Sequence, residues 1–336
     1  MFKYLIKRLI FMLPTLFGIT LVCFVIINLA PGSPVEQALS RIRFASGGGG
    51  SANAGVSDEV LDAIKKQYGF DKPLHMRYLI WLKNIATLDF GESFKYHQPV
   101  VEVIADKLPI SLQFGLASVI LIYLISLPLG IAKAVKDGSD FDMLTSVGLM
   151  VSYSIPPLIL GILLRMYLAG GHFLSIFPVG ELYSDQYHDL SLTGKILDRA
   201  HHFVLPLTCY VLHGFAVLTL LMKNSLLEEI KLDYVRTARA KGLSERVVVL
   251  KHALRNALIP IVTGLGSFLT VFFAGSIIVE SIFAINGMGL LSIEAIMSRD
   301  YNVIMALIFF EAVLSMVGRL VSDLTYVAID PRIDFE

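Results

Sequence analysis

The sequence predicts an all-α, polytopic membrane protein, and three observations carry that prediction. Of 336 residues, 55% are hydrophobic and only 17% are charged, against roughly 25% charged residues in soluble domains. Mean hydropathy is +0.69. Six apolar runs are long enough to cross a bilayer, which takes about 20 residues of helix. A soluble chain cannot bury six such segments.

The first run, 9–30, has no charge. Lys3, Lys7 and Arg8 precede it, as in a signal peptide. The run is longer than the roughly 7–15-residue apolar core of such a leader, and no Ala-x-Ala site follows; it is expected to be an uncleaved helix. Runs 110–132, 203–222 and 257–279 also lack charge, whereas 143–169 contains Arg165 and 303–321 contains Glu311 and Arg319. Pro14, Pro128, Pro156, Pro157, Pro206 and Pro260 fall within these runs. Membrane bundles tolerate such prolines where neighbours or cavities satisfy the freed carbonyls, in moving transporters and static bundles alike. Cys23 and Cys209 both lie in apolar runs, which argues against a disulfide framework or a cysteine metal site.

The chain thus divides into 1–30, an N-terminus and first helix; 31–108, a helical insertion; and 109–336, a five-helix core that includes the polar segment 224–256. Within the insertion, residues 47–50 with Ser51 and Gly55 form a glycine-rich stretch. Ser57 is placed to cap a short helix, with Asp58 and Glu59 in its first turn and Gly69 at its end. Val60, Leu61, Ile64 and Tyr68 share one face of it. A second helix is expected after Pro73, through Tyr78, Ile80, Trp81 and Ile85.

Basic residues set orientation, counted over short loops. With the N-terminus inside, the inner side holds Lys3, Lys7, Arg8, Lys133, Lys136, a basic block and Arg332; the short outer loops hold Lys195, Arg199 and Arg299. Both termini are therefore expected in the cytoplasm. The basic block, 233–260 with Lys223 and Lys231 before it, reads as helix over 226–241, a stop at Gly242, and a new N-cap at Ser244. A second helix follows over 246–259. Glycine suits a left-handed turn, and small Ala238 and Ala240 let another surface approach the backbone. The residues leave four roles open: docking a protein, lying on anionic lipid, setting orientation, or forming a solvated hairpin.

The stretch Tyr234-Val235-Arg236-Thr237-Ala238-Arg239-Ala240-Lys241-Gly242-Leu243, followed by His252-Ala253-Leu254-Arg255-Asn256-Ala257, resembles the coupling motif of ATP-binding-cassette (ABC) importer permeases. The general motif reads Glu-Ala-Ala, three residues, Gly, nine residues, Ile-x-Leu-Pro. Here Arg236-Thr237-Ala238 stand in the first places and Arg255 replaces the proline, as in the dipeptide and oligopeptide branch, B-type subunit. Leu-Ala-Pro-Gly-Ser-Pro at 29–34, Tyr68-Gly69-Phe70-Asp71-Lys72-Pro73, Asp89-Phe90-Gly91-Glu92-Ser93, Leu127-Pro128-Leu129-Gly130-Ile131 and Gly287-Met288-Gly289-Leu290-Leu291 are similar to the same family. The glycine-rich insert, Asn286, and Asp330-Pro331-Arg332-Ile333-Asp334-Phe335 resemble its Yej-type sub-branch, associated with oligopeptide and microcin C uptake.

The resemblance implies the type I importer permease fold of six transmembrane helices, with 31–108 periplasmic, in a bacterial inner membrane. It implies a subunit working by alternating access with a second permease, two cytoplasmic ATPase domains and a periplasmic peptide-binding protein. Tyr234, Arg236, Thr237, Ala238, Ala240, Gly242 and Leu243 would then form the ATPase-coupling element. No Gly-x-x-x-x-Gly-Lys-Ser/Thr loop is present, since Gly194-Lys195 is followed by Ile196; ATP hydrolysis is expected in the partners, and no catalytic residue or cofactor in this chain.

Three residues are candidates for the substrate path. Glu311 falls near mid-membrane, where a carboxylate faces a partner or water; it would meet peptide or fix packing. Arg165, near a span end, would snorkel to the interface or line the path. Glu280, in a Val-Glu-x-x-Phe segment of the family type, would serve an outer gate or packing. Arg319 and Asp323, four apart, are expected to pair. His172, His188, His201, His202 and His213 lack metal-ligand spacing, so no metal is expected. A self-sufficient proton-coupled transporter using Glu311 is the rival; it calls for inverted halves and leaves the 233–260 motif unexplained. An intramembrane protease would need paired aspartates, and the six runs contain none.

Overall fold

The computed structural model describes residues 2–29, 71–169, 173–264, 273 and 275–329. The glycine-rich insert, the helix expected after Ser57, the middle of the fifth run and the end at 330–335 lie outside the described residues. The long helices are α1 (Phe2–Leu29), α2 (Leu74–Ile85), α3 (Val100–Val135), α4 (Asp140–Ser154), α5 (Pro157–Leu168) and α6 (Leu192–Ile230). They continue with α7 (Asp233–Ala240), α8 (Ile277–Phe283), α9 (Met288–Ser298) and α10 (Tyr301–Ile329). No strand occurs among the described residues, and the fold is all-α as expected. Four helices, α1, α3, α6 and α10, are long and apolar enough to cross a membrane, or up to six if the bent pairs α4–α5 and α8–α9 each count as one span.

One of the expected spans is corrected. The run 143–169 is not one helix: it breaks after Ser154 and turns through 91° into α5. Pro156 and Pro157 have no N–H to give to the carbonyls of Ser152 and Tyr153, so the α-helix cannot continue, while Pro157 suits the first position of α5. The run 257–279 is described only in part, as a short helix Ile259–Thr263 and the start of α8. A further bent apolar pair, α8–α9, turns through 92°; residues 265–272 and 274 of the expected run lie outside the described residues.

The chain forms two compact units: Met1–Tyr4, Leu108–Leu290 and Leu314–Glu336 in one, Leu5–Lys107 and Leu291–Val313 in the other. In the first, α3 and α6 are the long members, 36 and 39 residues, about 54 and 58 Å at 1.5 Å per residue. Both exceed the ~30 Å hydrocarbon core. They touch closely where side chains vanish. A Cβ on Gly130 would lie 2.6 Å from Met222 Cβ and 2.8 Å from the Thr219 carbonyl oxygen, and one on Gly214 would lie 2.7 Å from Ile122 Cδ1. Further along, Phe114 stacks on Phe203 at 4.2 Å.

The start of α4 is fixed by charge. Ser139 caps it by accepting from the Asp142 N–H, as a helix N-terminus prefers. Lys133 is 0% exposed, yet its Nζ lies 2.9 Å from Asp142 Oδ1 and donates to the Asp142 carbonyl (2.8 Å), Thr145 Oγ1 (2.7 Å) and Ser146 Oγ (2.8 Å). Lys223 Nζ reaches Asp142 Oδ2 at 2.6 Å and Asp137 Oδ1 at 2.9 Å. Two lysines and two aspartates thus join α3, α4 and α6. Burial of an ammonium is tolerable only with such pairing and bonding.

In the second unit, α2 follows Pro73 as expected. Tyr78 is buried among Phe17, Phe24 and Trp81, at ring distances of 5.8, 5.1 and 5.9 Å, and its hydroxyl bonds Thr20 Oγ1 at 2.9 Å. The loop before α3 is tied to α9 and α10: Ser93 Oγ donates to Asp300 at 2.5 Å, and Lys95 pairs with Glu294 at 2.8 Å.

Gly130→Val is expected to destabilise the protein by about 1–3 kcal/mol through overpacking. It would appear as a lowered unfolding midpoint of the purified protein in detergent. An unchanged midpoint would contradict the α3–α6 contact.

Candidate functional site

The basic block folds as a hairpin hung on the end of α6. That helix ends at Ile230, the chain turns through Lys231 and an extended Leu232, and α7 begins with Asp233 in its first turn. Helix over 226–241 is thereby corrected to two helices with a break at 231–232. At the far end Gly242 has φ +79° and gives its N–H to the Arg239 carbonyl (2.9 Å). A Cβ there would meet nothing within 4 Å, so the requirement for glycine is the left-handed backbone itself. Ser244 stands at the following N-cap, without a side-chain cap bond. The second arm runs Glu245–Val247, a π-turn Val248–Ala253, and Leu254–Ala257. A π-turn, with one extra residue in its turn, was not foreseen.

Side chains close the hairpin. Arg239 donates to both Glu245 oxygens, at 3.0 and 2.6 Å, a two-point pairing of fork on carboxylate. It holds the Glu245 carboxyl below its usual range. Tyr234 donates to Glu229 of α6 and accepts from Asn256 Nδ2 at 3.0 Å. Burial and the Glu229 carboxylate push its hydroxyl up to about 12.

The hairpin has two faces. Val235 and Ala238 turn inward and pack with Val248, Val249, Ala253 and Ala257 against Ala134, Met222 and Leu226. Tyr234, Arg236, Thr237, Arg239, Ala240, Gly242 and Leu243 are exposed. Ala238 is therefore no approach point for another surface; its small size serves the internal packing, and Ala240 is the small residue facing out. Leu232, Val247 and Leu250 are also exposed, adding an apolar rim to the basic face. The Arg236–Asp233 pair at 3.2 Å is open to solvent and contributes little.

The other candidates separate. Glu280 is 0% exposed. Its Oε1 accepts from Ser111 Oγ (2.8 Å), Tyr210 OH (3.3 Å) and the Ser276 N–H (3.3 Å), and Oε2 accepts from the Leu290 N–H (3.0 Å). It sits at the N-terminus of α9, where the helix dipole favours an anion. A Cβ on Gly287 would fall 2.7 Å from Glu280 Oε2 and 2.5 Å from Ser111 Oγ, so glycine lets the backbone close over the carboxylate. Glu280 clasps α3, α6, α8 and α9 and presents nothing outward.

Arg165 is exposed but does not snorkel freely: its guanidinium donates to the Ile282 carbonyl in the last turn of α8. Glu311 is exposed on α10, with no hydrogen bond or ion pair among the described residues. Asp323 accepts from Tyr4 OH at 2.9 Å, where the sequence suggested Arg319. His201 bonds the Ile176 carbonyl, His202 bonds the Asp198 carbonyl, and His213 stacks on Tyr153. Among the described residues no group of three or more His, Cys, Asp or Glu is arranged to hold a metal.

Comparison with known proteins matches residues 126–335 to the model of the binding-protein-dependent transport system inner membrane component, and residues 1–115 to the N-terminal model of such membrane components. The chain is 40% identical over 359 residues to the inner membrane ABC transporter permease protein YejB of Escherichia coli O157:H7, covering 99% of both chains. It is 42% identical over 357 residues to the peptidoglycan transport system permease protein YejB of Agrobacterium fabrum, covering 99% of this chain and 98% of that one. It is 35% identical over 336 residues, all of both chains, to the oligopeptide transport system permease protein AppB of Bacillus subtilis.

Glu280→Leu strands four donors, each costing about 1–3 kcal/mol when buried unsatisfied. Its unfolding midpoint in detergent is expected well below that of Glu280→Gln, whose amide still accepts. Equal midpoints would argue against the clasp.

Proposed function

The chain belongs to the binding-protein-dependent transport system inner membrane components, and from that membership we propose that it is the permease subunit of an ATP-driven peptide importer. The observation that carries the reading is the hairpin 233–257. Its inner face is welded to the spans, while its outer face is basic, apolar-rimmed and exposed. A surface of that kind transmits displacement from an outside protein to α6. Relatives named for transport of oligopeptides, dipeptides and peptidoglycan support a peptide-like substrate; microcin C-like peptides fall in the same chemical class.

In this reading both termini and the hairpin face the cytoplasm, and 31–108, with α2, faces the outside, near a peptide-binding protein. A second permease completes the path. ATP hydrolysis resides in separate subunits, since the chain has no phosphate-binding loop. Tyr234, Arg236, Thr237, Ala240, Gly242 and Leu243 meet the ATPase; Ala238 acts from the inner face by holding α7 in register. Glu311, exposed on α10 and unpaired among the described residues, is the favoured path residue of the sequence candidates, whereas Arg165 and Glu280 act through packing. Coupling requires that ATP and peptide favour different states of one assembly.

Vesicles holding the full assembly are expected to accumulate peptide only with ATP inside and binding protein outside. Uptake by this chain alone, driven by a proton gradient, would overturn the reading. Gly242→Glu forces a side chain into a left-handed turn at a cost of about 1–3 kcal/mol. It is expected to reduce ATPase co-purification and uptake while helix content by circular dichroism stays. Retention of both functions would remove the hairpin from the coupling path.

A further inference from the structure

The break between α4 and α5 leaves polar groups open where lipid would be intolerable. Pro156 and Pro157 leave the carbonyls of Ser152 and Tyr153 without helical partners. Ser154 and Pro156 are exposed at the break, and Tyr153 is 53% exposed. Beside it stands His213, exposed on α6, its ring stacked on Tyr153 at 4.7 Å and 22°. No hydrogen bond to either ring is seen among the described residues. His213 is the eleventh residue of the apolar run 203–222, about 15 Å from Phe203 at 1.5 Å per residue, so it lies near the middle of the ~30 Å core.

Acyl chains cannot cover this surface. Each uncompensated carbonyl, imidazole or phenol would cost several kcal/mol there, and irregular backbone at membrane depth survives only in protein or along water. The exposed stripe continues down α6 through Val217, Leu220 and Asn224, spaced for one helical face. Chemically the site is acceptor-rich. It combines two open carbonyls, the negative end of the α4 dipole, an imidazole nitrogen and an aromatic face that attracts cations.

We infer that the Tyr153–His213 pair and the α4 break form a mid-membrane station for a cationic amino group, the peptide's α-ammonium, on the translocation path. The ammonium donates to the carbonyls and to His213 while Tyr153 lies against it. The assignment rests on the importer reading and adds a site to it. Half-helix ends that hold cations at mid-membrane are an established transporter device; here the sequence builds one from consecutive prolines.

The test uses the full assembly in vesicles, with Cys23 and Cys209, the chain's two cysteines, replaced by alanine and a single His213→Cys introduced. A water-soluble cationic methanethiosulfonate is expected to label residue 213 faster than its anionic analogue, and saturating peptide is expected to slow it. Absence of labelling, equal rates for both reagents, no peptide protection, or disulfide cross-linking to the second permease would each overturn the station. In uptake assays His213→Lys is expected to fall about tenfold below His213→Gln, a difference of about 1.4 kcal/mol, with subunit co-purification unchanged. Equal uptake by the two would overturn the cation assignment. Failure of the wild-type assembly to take up peptide with ATP and binding protein would instead defeat the importer reading itself.

Discussion

The seating of α7 on the end of α6 is the contact on which the functional reading depends. Val235 and Ala238 on one arm meet Val248, Val249 and Ala253 on the other, and both rest on Met222, Leu226 and Ala134. A close-packed interior transmits strain instead of absorbing it. In the proposed importer the hairpin would move with the spans, so that a push on its outer face reaches them. The Gly242 turn and the Arg239–Glu245 pair close the hairpin, and Tyr234 ties both arms to Glu229. These bonds set which side chains point out.

The same constraint that shapes any chain in lipid governs the rest: charges and open backbone groups must be satisfied within the protein or by water. Lys133 and Lys223 solve it with Asp137 and Asp142, locking α4 to α3 and α6. Glu280 solves it with four donors and a helix N-terminus. Arg165 solves it by capping α8. Among the described residues the demand is unmet at the α4 break, as it is at Glu311, and Tyr153 and His213 face outward beside the break. In the proposed importer that contrast separates groups that hold the bundle from groups that touch cargo.

Much of this was legible from local chemistry. Apolar length gave the long helices α1, α3, α6 and α10, Pro73 gave α2, and Gly242 gave the turn, because each depends on a few adjacent residues. The break at 231–232 was not legible, since Lys231 and Leu232 carry no breaking signal; nor was the π-turn within an ordinary helical pattern. Pro156 and Pro157 did signal the 91° bend, but proline in membrane helices is common enough to be read as a mere kink. Lys133 and Lys223 looked like topology signals because their partners, nine and 81 residues away, meet them only in the fold. Besides the Ser276 N–H at the start of its own helix, the donors to Glu280 come from three other helices, and no spacing announces those. Ala238 was legible in principle: Val235 and Ala238, three apart, already mark one face of α7.

The central claim is that the outward face of α7 touches an ATPase subunit while the inward face does not. Single cysteines at Ala240 and at Ala238, in a chain lacking Cys23 and Cys209, separate the two by cross-linking within the assembled complex in membranes. The account predicts that Ala240→Cys links to an ATPase subunit and Ala238→Cys does not. Cross-links from both positions alike, or from neither, would contradict it.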